Sequence, residues 1–299
     1  MKVRLNPFAS PILRGDGYIQ FGTDAHISGV IGPLGKQSVL GFLSLCELLQ
    51  RRALSMKDCT DFMRNYGLQP SYTQELLGEL HGFGVVVDAP SISTINLGGY
   101  YPFAREFAPL ARSMGMHVVL PDHFNDQNHF LSAIDPADPY IHFYDGLFDW
   151  NAFLSIHSRD MTVIPVSVIG HFIRIGPMRF SHQGPCLSCF ELYRRDADPE
   201  WIKIRRQYAA SLENLPVPAR LLLLSHTLAV VSSLLGFPDA PGVERRELYD
   251  GLLIQVAVDG SSVDYSAVRP HPTCVLHDPE NYSRFRLAEE AVDSTDRRQ

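Results

Sequence analysis

Two short motifs bring together side chains of the kinds that bind metal ions. Cys186 and Cys189 form a CxxC motif, and far downstream Cys274 and His277 form a CxxH motif. A two-residue gap lets each pair span one edge of a tetrahedron, and soft thiolates with one imidazole favour zinc over calcium or magnesium. Because protein side chains then fill all four positions, the motifs predict a structural zinc ion rather than a catalytic one. His271 is a competing candidate for the fourth ligand.

A CxxC motif can also be a redox pair or two cysteines that pack in a core. A thioredoxin-like pair opens a helix after a strand in a small domain, and the presence of the second motif favours zinc instead. Two of the five cysteines remain, Cys46 and Cys59, and they lie among apolar residues at helical spacing. We expect both to be small core residues.

Composition limits the classes of function. A length of 299 residues predicts two domains, and a formal net charge of -7 differs from that of most nucleic-acid binders. No apolar run approaches the roughly 20 residues that span a bilayer. Asn6, Pro7 and Ser10 interrupt any signal-peptide core. We therefore expect a cytoplasmic protein that binds neither membranes nor nucleic acids.

Residues 1–88 are predicted to form a winged helix-turn-helix domain. A Gly-Asp-Gly turn at residues 15–17 separates two short apolar runs, which is typical of a hairpin, and residues 26–32 suit a third strand. Apolar residues at three- and four-residue steps then predict three helices, the second capped by Ser55 and the third by Ser71.

The charge of this predicted domain disfavours DNA as its ligand. Residues 1–88 contain eight Lys/Arg and eight Asp/Glu, and the would-be recognition helix at 72–81 has two glutamates and no Lys or Arg. DNA affinity depends largely on the neutralisation of phosphates. A peptide that adds a strand to an exposed sheet edge needs no such charge.

Residues 91–280 are predicted to form a doubly wound, Rossmann-type domain. Residues 91–122 read as strand, helix and strand, the βαβ unit with which such a sheet begins. The last segment, 281–299, is charged and is predicted to be a flexible tail.

A phosphate loop would fall at Gly98 and Gly99, after the first strand of this domain. Tyr-Tyr-Pro follows the two glycines, and the proline removes a backbone donor at the start of the helix. Asp122 could bind a ribose and Asp149 a magnesium ion, although isolated acidic residues at strand ends are equally typical of solvated loops. The pattern disfavours ATP binding.

The segment 175–201 carries a family resemblance. It contains IGP, then GPCLSCFELYRR, then DADPEW, and it resembles the ThiF-like proteins (ocin-ThiF-like) of clusters that make thiazole/oxazole-modified microcins (TOMMs). In that family a GP strand leads to a PCLxC turn, a basic helix and a DPxW stop. A late HPxCxxC motif is matched at 271–277, with His277 in place of the last cysteine. The resemblance implies an α/β fold, in which a winged-helix RiPP recognition element precedes a ThiF-like domain with a zinc clamp.

The resemblance also implies a role in the biosynthesis of bacteriocin- or thiopeptide-like natural products. The chain would bind the leader of a ribosomally made precursor peptide and present its core to a YcaO-type, azoline-forming cyclodehydratase. The leader would add a strand beside residues 25–32 and lie against the third helix. Relatives commonly form homodimers. The candidate contacts are Ile27, Val30, Tyr72, Leu76 and Leu80.

The alternative is an E1-like, ATP-dependent adenylating enzyme that uses Gly98, Gly99, Asp122 and Asp149. Adenylating relatives have a glycine-rich loop and an arginine in an NxxRQ stretch. Here residues 125–128 read NDQN and lack that arginine, which disfavours adenylation. A third hypothesis is a zinc-stabilised scaffold with another cargo.

Overall fold

The structure is a computed structural model. The chain divides into two compact units, and each unit is made of two separate segments of the sequence. The first unit consists of Met1–Ser91 with Val231–Glu247, and the second of Ile92–Val230 with Leu248–Gln299. The residues that the structure describes are 2–23, 29–89, 93–122, 127–144, 150–181, 183–201, 203–204, 215–243 and 246–277.

The described residues of the first unit form three complete helices, two small antiparallel sheets and the end, residues 231–234, of a longer helix. One sheet has the order β5-β1-β6 and the other the order β2-β3-β4. The strands are β1 (Lys2–Leu5), β2 (Pro11–Leu13), β3 (Ile19–Phe21), β4 (Gly29–Ile31), β5 (Leu54–Ser55) and β6 (Val86–Asp88). The helices are α1 (Lys36–Arg51), α2 (Met56–Arg64) and α3 (Pro70–Gly82).

Local sequence explains where the helices of the first unit begin. Ser55 caps α2 in a capping box: its hydroxyl accepts from the backbone N–H of Asp58, whose carboxylate accepts from the backbone N–H of Ser55. This confirms the predicted cap. The cap predicted at Ser71 is wrong, because Pro70 already occupies the first turn and Gln69 is the N-cap residue. Proline fits there since its missing N–H has no helical partner at that position.

The core of the first unit is formed by one apolar stripe from each helix and by the inner faces of both sheets. Cys46 and Cys59 are 1% and 0% exposed within it, as expected for small core residues. Leu76 and Leu80 of α3 also belong to this core.

The second unit is built on a seven-stranded mixed sheet of order β13-β12-β11-β10-β9-β7-β8. Strands β8, β7, β9 and β10 run parallel, and β11, β12 and β13 continue antiparallel. The strands are β7 (Thr94–Gly99), β8 (His117–Val119), β9 (Tyr140–Tyr144), β10 (Val163–Ile169), β11 (Phe172–Ile175), β12 (Leu252–Ala257) and β13 (Val263–Ala267). The helices are α4 (Tyr101–Ser113), α5 (Gln127–Ala133), α6 (Trp150–His157), α7 (Leu187–Ala197) and α8 (Val217–Leu234).

The central strands β9 and β10 are buried along their whole length. Continuous burial is expected of parallel strands that are covered on both faces, and their sequences are accordingly apolar apart from His142 and Ser167. The chain is therefore a mixed α/β protein.

Helix α8 is long and apolar enough, by length and composition alone, to cross a membrane. Its 18 residues have a mean hydropathy of 1.5, and 33% of them are buried. A core helix of a soluble protein can have the same composition, so this helix is weak evidence for a membrane span.

Candidate metal centre

Two segments of the second unit bring the predicted metal ligands together. Cys186 is the N-cap residue of α7, and Cys189 lies in the first turn of that helix. Cys274 and His277 lie in successive turns after β13, where the N–H of Cys274 donates to the carbonyl of His271 and the N–H of His277 donates to the carbonyl of Cys274. The four ligand atoms all lie within 4.8 Å of one another.

The spacing of the sulfur atoms fits a tetrahedral metal ion. The Sγ atom of Cys186 is 3.7 Å from that of Cys189 and 3.7 Å from that of Cys274. Ligands at about 2.3 Å from a tetrahedral ion are roughly 3.8 Å apart. All three sulfurs are buried, with Tyr144, Leu187 and Leu276 in the same apolar cluster. This Cys3His cluster can hold a metal ion.

The imidazole of His277 is available as the fourth ligand. Its Nε2 atom is buried and has no hydrogen-bond partner among the described residues. Burial lowers the pKa of His277, so the ring is neutral at pH 7, which is the form that binds metal. An orphaned buried nitrogen costs free energy unless something binds it, and a metal ion would do so.

The electrostatics of the three thiols also favour a bound cation. Hydrogen bonds from Cys186 and Cys189 to the sulfur of Cys274 lower the pKa of Cys274. The hydrogen bonds of Cys186 with Cys189 and with Cys274, together with burial, raise the pKa of Cys186. Three sulfurs this close cannot all ionise without a positive charge among them, and a metal ion supplies that charge.

His271, the competing candidate, has a different role. Its Nε2 lies 2.9 Å from a carboxylate oxygen of Asp196, and its Nδ1 accepts from the N–H of Thr273. Its ring packs edge-on against Tyr193 at 4.5 Å between centroids. Because both ring nitrogens are occupied, His271 does not join the cluster. It fastens the segment that carries Cys274 to helix α7.

A second network beside the cluster was not predicted from the sequence. Arg179, 3% exposed, donates from Nη2 to the carbonyls of Ile156 and Arg159, and from Nη1 to Nδ1 of His157 at 2.9 Å. Since Nδ1 of His157 accepts, its Nε2 carries the proton and donates to the carbonyl of Leu276 at 2.8 Å. The ring of His157 stands edge-on to that of His277. The residues of this network lie far apart in sequence, so no local sequence pattern indicated the network.

The two glycines of the candidate phosphate loop are required by packing within the sheet. A side chain at Gly98 would collide with the hydroxyl of Tyr140, and one at Gly99 would collide with the carbonyl oxygen of Phe143. Gly99 also has φ of 84°, which disfavours other residues. The next N–H, of Tyr100, donates to the carbonyl of Phe143. Asp122 is exposed just beyond β8, and Asp149 is outside the described residues.

The predicted peptide contacts divide between core and surface. Leu76 and Leu80 are 4% and 3% exposed and lie in the core, so they offer no face to a peptide. Val30 on β4 and Tyr72 on α3 are 45% and 43% exposed. Ile27 is outside the described residues. Phe83, the C-cap residue of α3, was not singled out from the sequence, yet its exposed ring lies against Gly29 of β4.

Comparison with known proteins gives similarity of fold and little similarity of sequence. No protein-family model matches this chain, and no curated protein matches it. A heterocyclase in complex with substrate and cofactor matches with a TM-score of 0.58 and 14% identity, over 91% of this chain and 39% of that one. The heterocyclase TruD matches with a TM-score of 0.56 and 12% identity, over 91% and 42%. E. coli MccB with ATP matches with a TM-score of 0.50 and 10% identity, over 92% and 99%.

The share of each structure that is covered differs between these proteins. This chain spans about two fifths of the length of the two heterocyclases and nearly all of MccB. At identities this low the similarity concerns the fold alone. In fold, the chain is similar to part of two heterocyclases and to the whole of MccB.

Proposed function

We propose that this chain binds the leader of a ribosomally made precursor peptide and presents its core to a separate modifying enzyme, a YcaO-type, azoline-forming cyclodehydratase. The observation that carries the proposal is the edge strand β4 of the first unit, whose outer side no described strand covers and which lies next to the exposed ring of Phe83 at the end of α3. The match to about two fifths of two heterocyclases is consistent with a chain that supplies one part of such a system, with the rest in a partner. The protein would work in the cytoplasm.

The first unit would act as a winged-helix recognition element. Its three helices and two small sheets are consistent with that type of domain. Strand β4 pairs with β3 on one side, and none of the described strands pairs with its other side. An extended peptide can add a strand to such an edge, with backbone hydrogen bonds for affinity and side-chain contacts for specificity.

We define the edge surface as Val30, Tyr72 and Phe83, which are 45%, 43% and 40% exposed. The contact between Phe83 and Gly29 puts the end of α3 beside β4, so one peptide could reach both elements. Aromatic side chains give much binding energy per residue because they bury large areas at small entropic cost. Leu76 and Leu80 would support the edge surface from beneath without touching the peptide.

The second unit would be a ThiF-like, Rossmann-type domain stabilised by one zinc ion. Three thiolates and one imidazole are the ligands that tetrahedral structural zinc prefers, and four protein ligands leave no position for water. Cys186, Cys189, Cys274 and His277 would hold the ion, which would contribute folding energy and no catalytic step.

Titration of a labelled leader peptide tests the proposal. The probe is the N-terminal half of a short Cys/Ser/Thr-rich peptide, to be sought in the neighbouring reading frames, and binding is read by fluorescence anisotropy. We expect a submicromolar Kd, and Tyr72→Ala should weaken binding while an exposed apolar residue elsewhere in the unit, Leu40, should tolerate the same change. Equal loss in both variants, or no binding by the wild type, would count against the proposal.

The alternative function is ATP-dependent adenylation of a peptide, which the similarity to MccB with ATP favours. The packing of Gly98 and Gly99 against β9 weighs against it, because these glycines are already required by the sheet. ATP–pyrophosphate exchange in the presence of the precursor peptide separates the two functions. Robust exchange would favour adenylation, and background exchange with tight leader binding would favour the binding module.

A further inference from the structure

We infer that Arg179 is the counter-charge of the metal centre: its guanidinium would neutralise the negative charge that a Cys3His-bound zinc ion leaves inside the second unit. The inference rests on the zinc assignment proposed above and adds a positioning residue that the ligand motifs do not contain. It concerns the affinity of the site for its ion.

Arg179 is a buried charge that forms no ion pair among the described residues. It is 3% exposed, and none of the ion pairs found among the described residues includes it. Its three hydrogen-bond acceptors are two carbonyls and a neutral imidazole, and its Nε atom has no partner among the described residues. The carboxylates of Asp160 and Asp250 offset only part of the cost of burying this charge, because burial still lowers the pKa of Arg179.

Asp250, an acidic side chain close to Arg179, is engaged with other groups. The carboxylate of Asp250 accepts from the N–H of Phe180 at 2.6 Å and from the hydroxyl of Ser181 at 2.8 Å. Burial lowers the pKa of Arg179, and among the negative charges that raise it the sulfur of Cys186 ranks before Asp160 and Asp250. Arg179 and Cys186 line the same small internal cavity.

The charges balance when the metal ion is included. A divalent ion with three thiolates and one neutral imidazole has a net charge of about -1. The guanidinium of Arg179 carries a charge of +1, so the net charge of the metal ion, its four ligands and Arg179 together is zero. Without Arg179, the centre would be a lone anion in apolar surroundings formed by Tyr144, Leu187 and Leu276.

Arg179 also reaches the ligand segment through His157. The arginine fixes the tautomer of His157, which donates to the carbonyl of Leu276, the residue before His277. Removal of a group next to a metal site typically changes metal affinity by about 10- to 100-fold, and the inference assigns most of that change for Arg179 to its charge and the smaller part to these hydrogen bonds. The charge and the hydrogen bonds can be separated by experiment, because lysine keeps the charge and cannot make the same set of bonds.

The test is zinc competition against a chromophoric chelator, at fixed pH and ionic strength, with the full-length, zinc-loaded chain. Arg179→Met should lower zinc affinity by about tenfold or more, and Arg179→Lys should keep it within about threefold of wild type. The matched control is Arg174→Met, since Arg174 is 4% exposed and stacks on the ring of Phe190. It should also stay within about threefold.

Unchanged affinity in Arg179→Met would overturn the inference, and so would equal losses in the Arg179→Met and Arg174→Met variants. If Arg179→Met does not fold, Arg179→Lys decides alone: retained affinity supports the counter-charge, and a tenfold loss overturns it. A wild-type chain that binds no zinc would overturn the zinc assignment as well. Leader binding, measured separately, fails or succeeds independently of all these outcomes.

Discussion

The candidate metal centre and the edge surface differ in the burial of their residues. The candidate metal ligands are three buried cysteines and one partly buried histidine of the second unit, where three thiolates this close would need a cation among them. The residues of the edge surface are exposed in the first unit. Changes at the metal centre should therefore affect stability, and changes at the edge surface should affect binding. Four experiments test this division.

Loss of a metal ligand should give the largest effect. Cys274→Ala should abolish stoichiometric zinc and greatly destabilise the second unit, since structural zinc sites contribute on the order of 10 kcal/mol. Metal analysis and thermal unfolding measure both consequences. Cys46→Ala is the matched control because both cysteines are 1% exposed. It should keep its zinc and lose only about 1 kcal/mol.

If the Cys274→Ala variant still bound one zinc ion per chain, the cluster would not be the metal site. Leader affinity in the same variant tests whether the two units work separately. If the units work separately, any folded fraction should bind the labelled leader with wild-type affinity.

Gly99→Ala should give the next largest effect, and it tests whether the double glycine belongs with the structural residues. Gly99 and Gly115 have φ of 84° and 91°, so alanine is strained at both positions by roughly 1–3 kcal/mol. Only at Gly99 would the new side chain also meet a backbone carbonyl, since Gly115 has open space around it. Thermal or denaturant unfolding should show Gly99→Ala to be less stable than Gly115→Ala. Equal stability would make the loop a candidate for nucleotide binding again.

Tyr72→Ala should change binding without changing stability. Truncation of an exposed aromatic contact should weaken leader binding about tenfold, which corresponds to about 1.4 kcal/mol. The free energy of unfolding should stay within about 0.5 kcal/mol of wild type, as for most surface substitutions. Leu40→Ala, at a residue that is 63% exposed on α1, should change neither quantity. A large loss of stability in Tyr72→Ala would remove the contrast between the two regions.

The parts of the structure that the sequence predicted have their causes within a few neighbouring residues. Two residues separate the members of each ligand pair, so a single turn brings both side chains of a pair together. The cap of α2 depends on Ser55 and Asp58 alone. The βαβ unit predicted over residues 91–122 is present as β7, α4 and β8, which follow one another directly in the chain.

The parts that were missed have their causes in distant residues. Strand β11 contains Arg174, a polar residue that the sheet tolerates because its guanidinium stacks on Phe190 of another element. Strand β13 is an edge strand that is exposed throughout, so its short alternation of apolar and polar residues, VDYSA, buries no face. The network of Arg179 and the contact of Phe83 with Gly29 likewise join segments that no local pattern connects.

The smallest effect should be a pH dependence of the stability of the first unit, through the cap of α2. Hydrogen bonds from Ser55 lower the pKa of Asp58. A carboxyl whose pKa is lower in the folded state contributes stability above its unfolded pKa of about 3.9, and this contribution is lost as pH falls through the folded pKa. The difference in melting temperature between wild type and Asp58→Ala should therefore be present at neutral pH and shrink in acid.

Asp61→Ala supplies the control for this pH dependence. Asp61 lies on the same helix and forms an exposed ion pair with Arg64 at 3.3 Å, and exposed pairs of this kind contribute little. Its melting temperature should follow that of wild type across the same pH range. Leader affinity at neutral pH should be the same in both variants, because a cap at the start of α2 stabilises the unit without forming part of its edge surface. If Asp58→Ala instead weakened leader binding, stability and binding would be coupled in the first unit, and the division between the two regions would not hold.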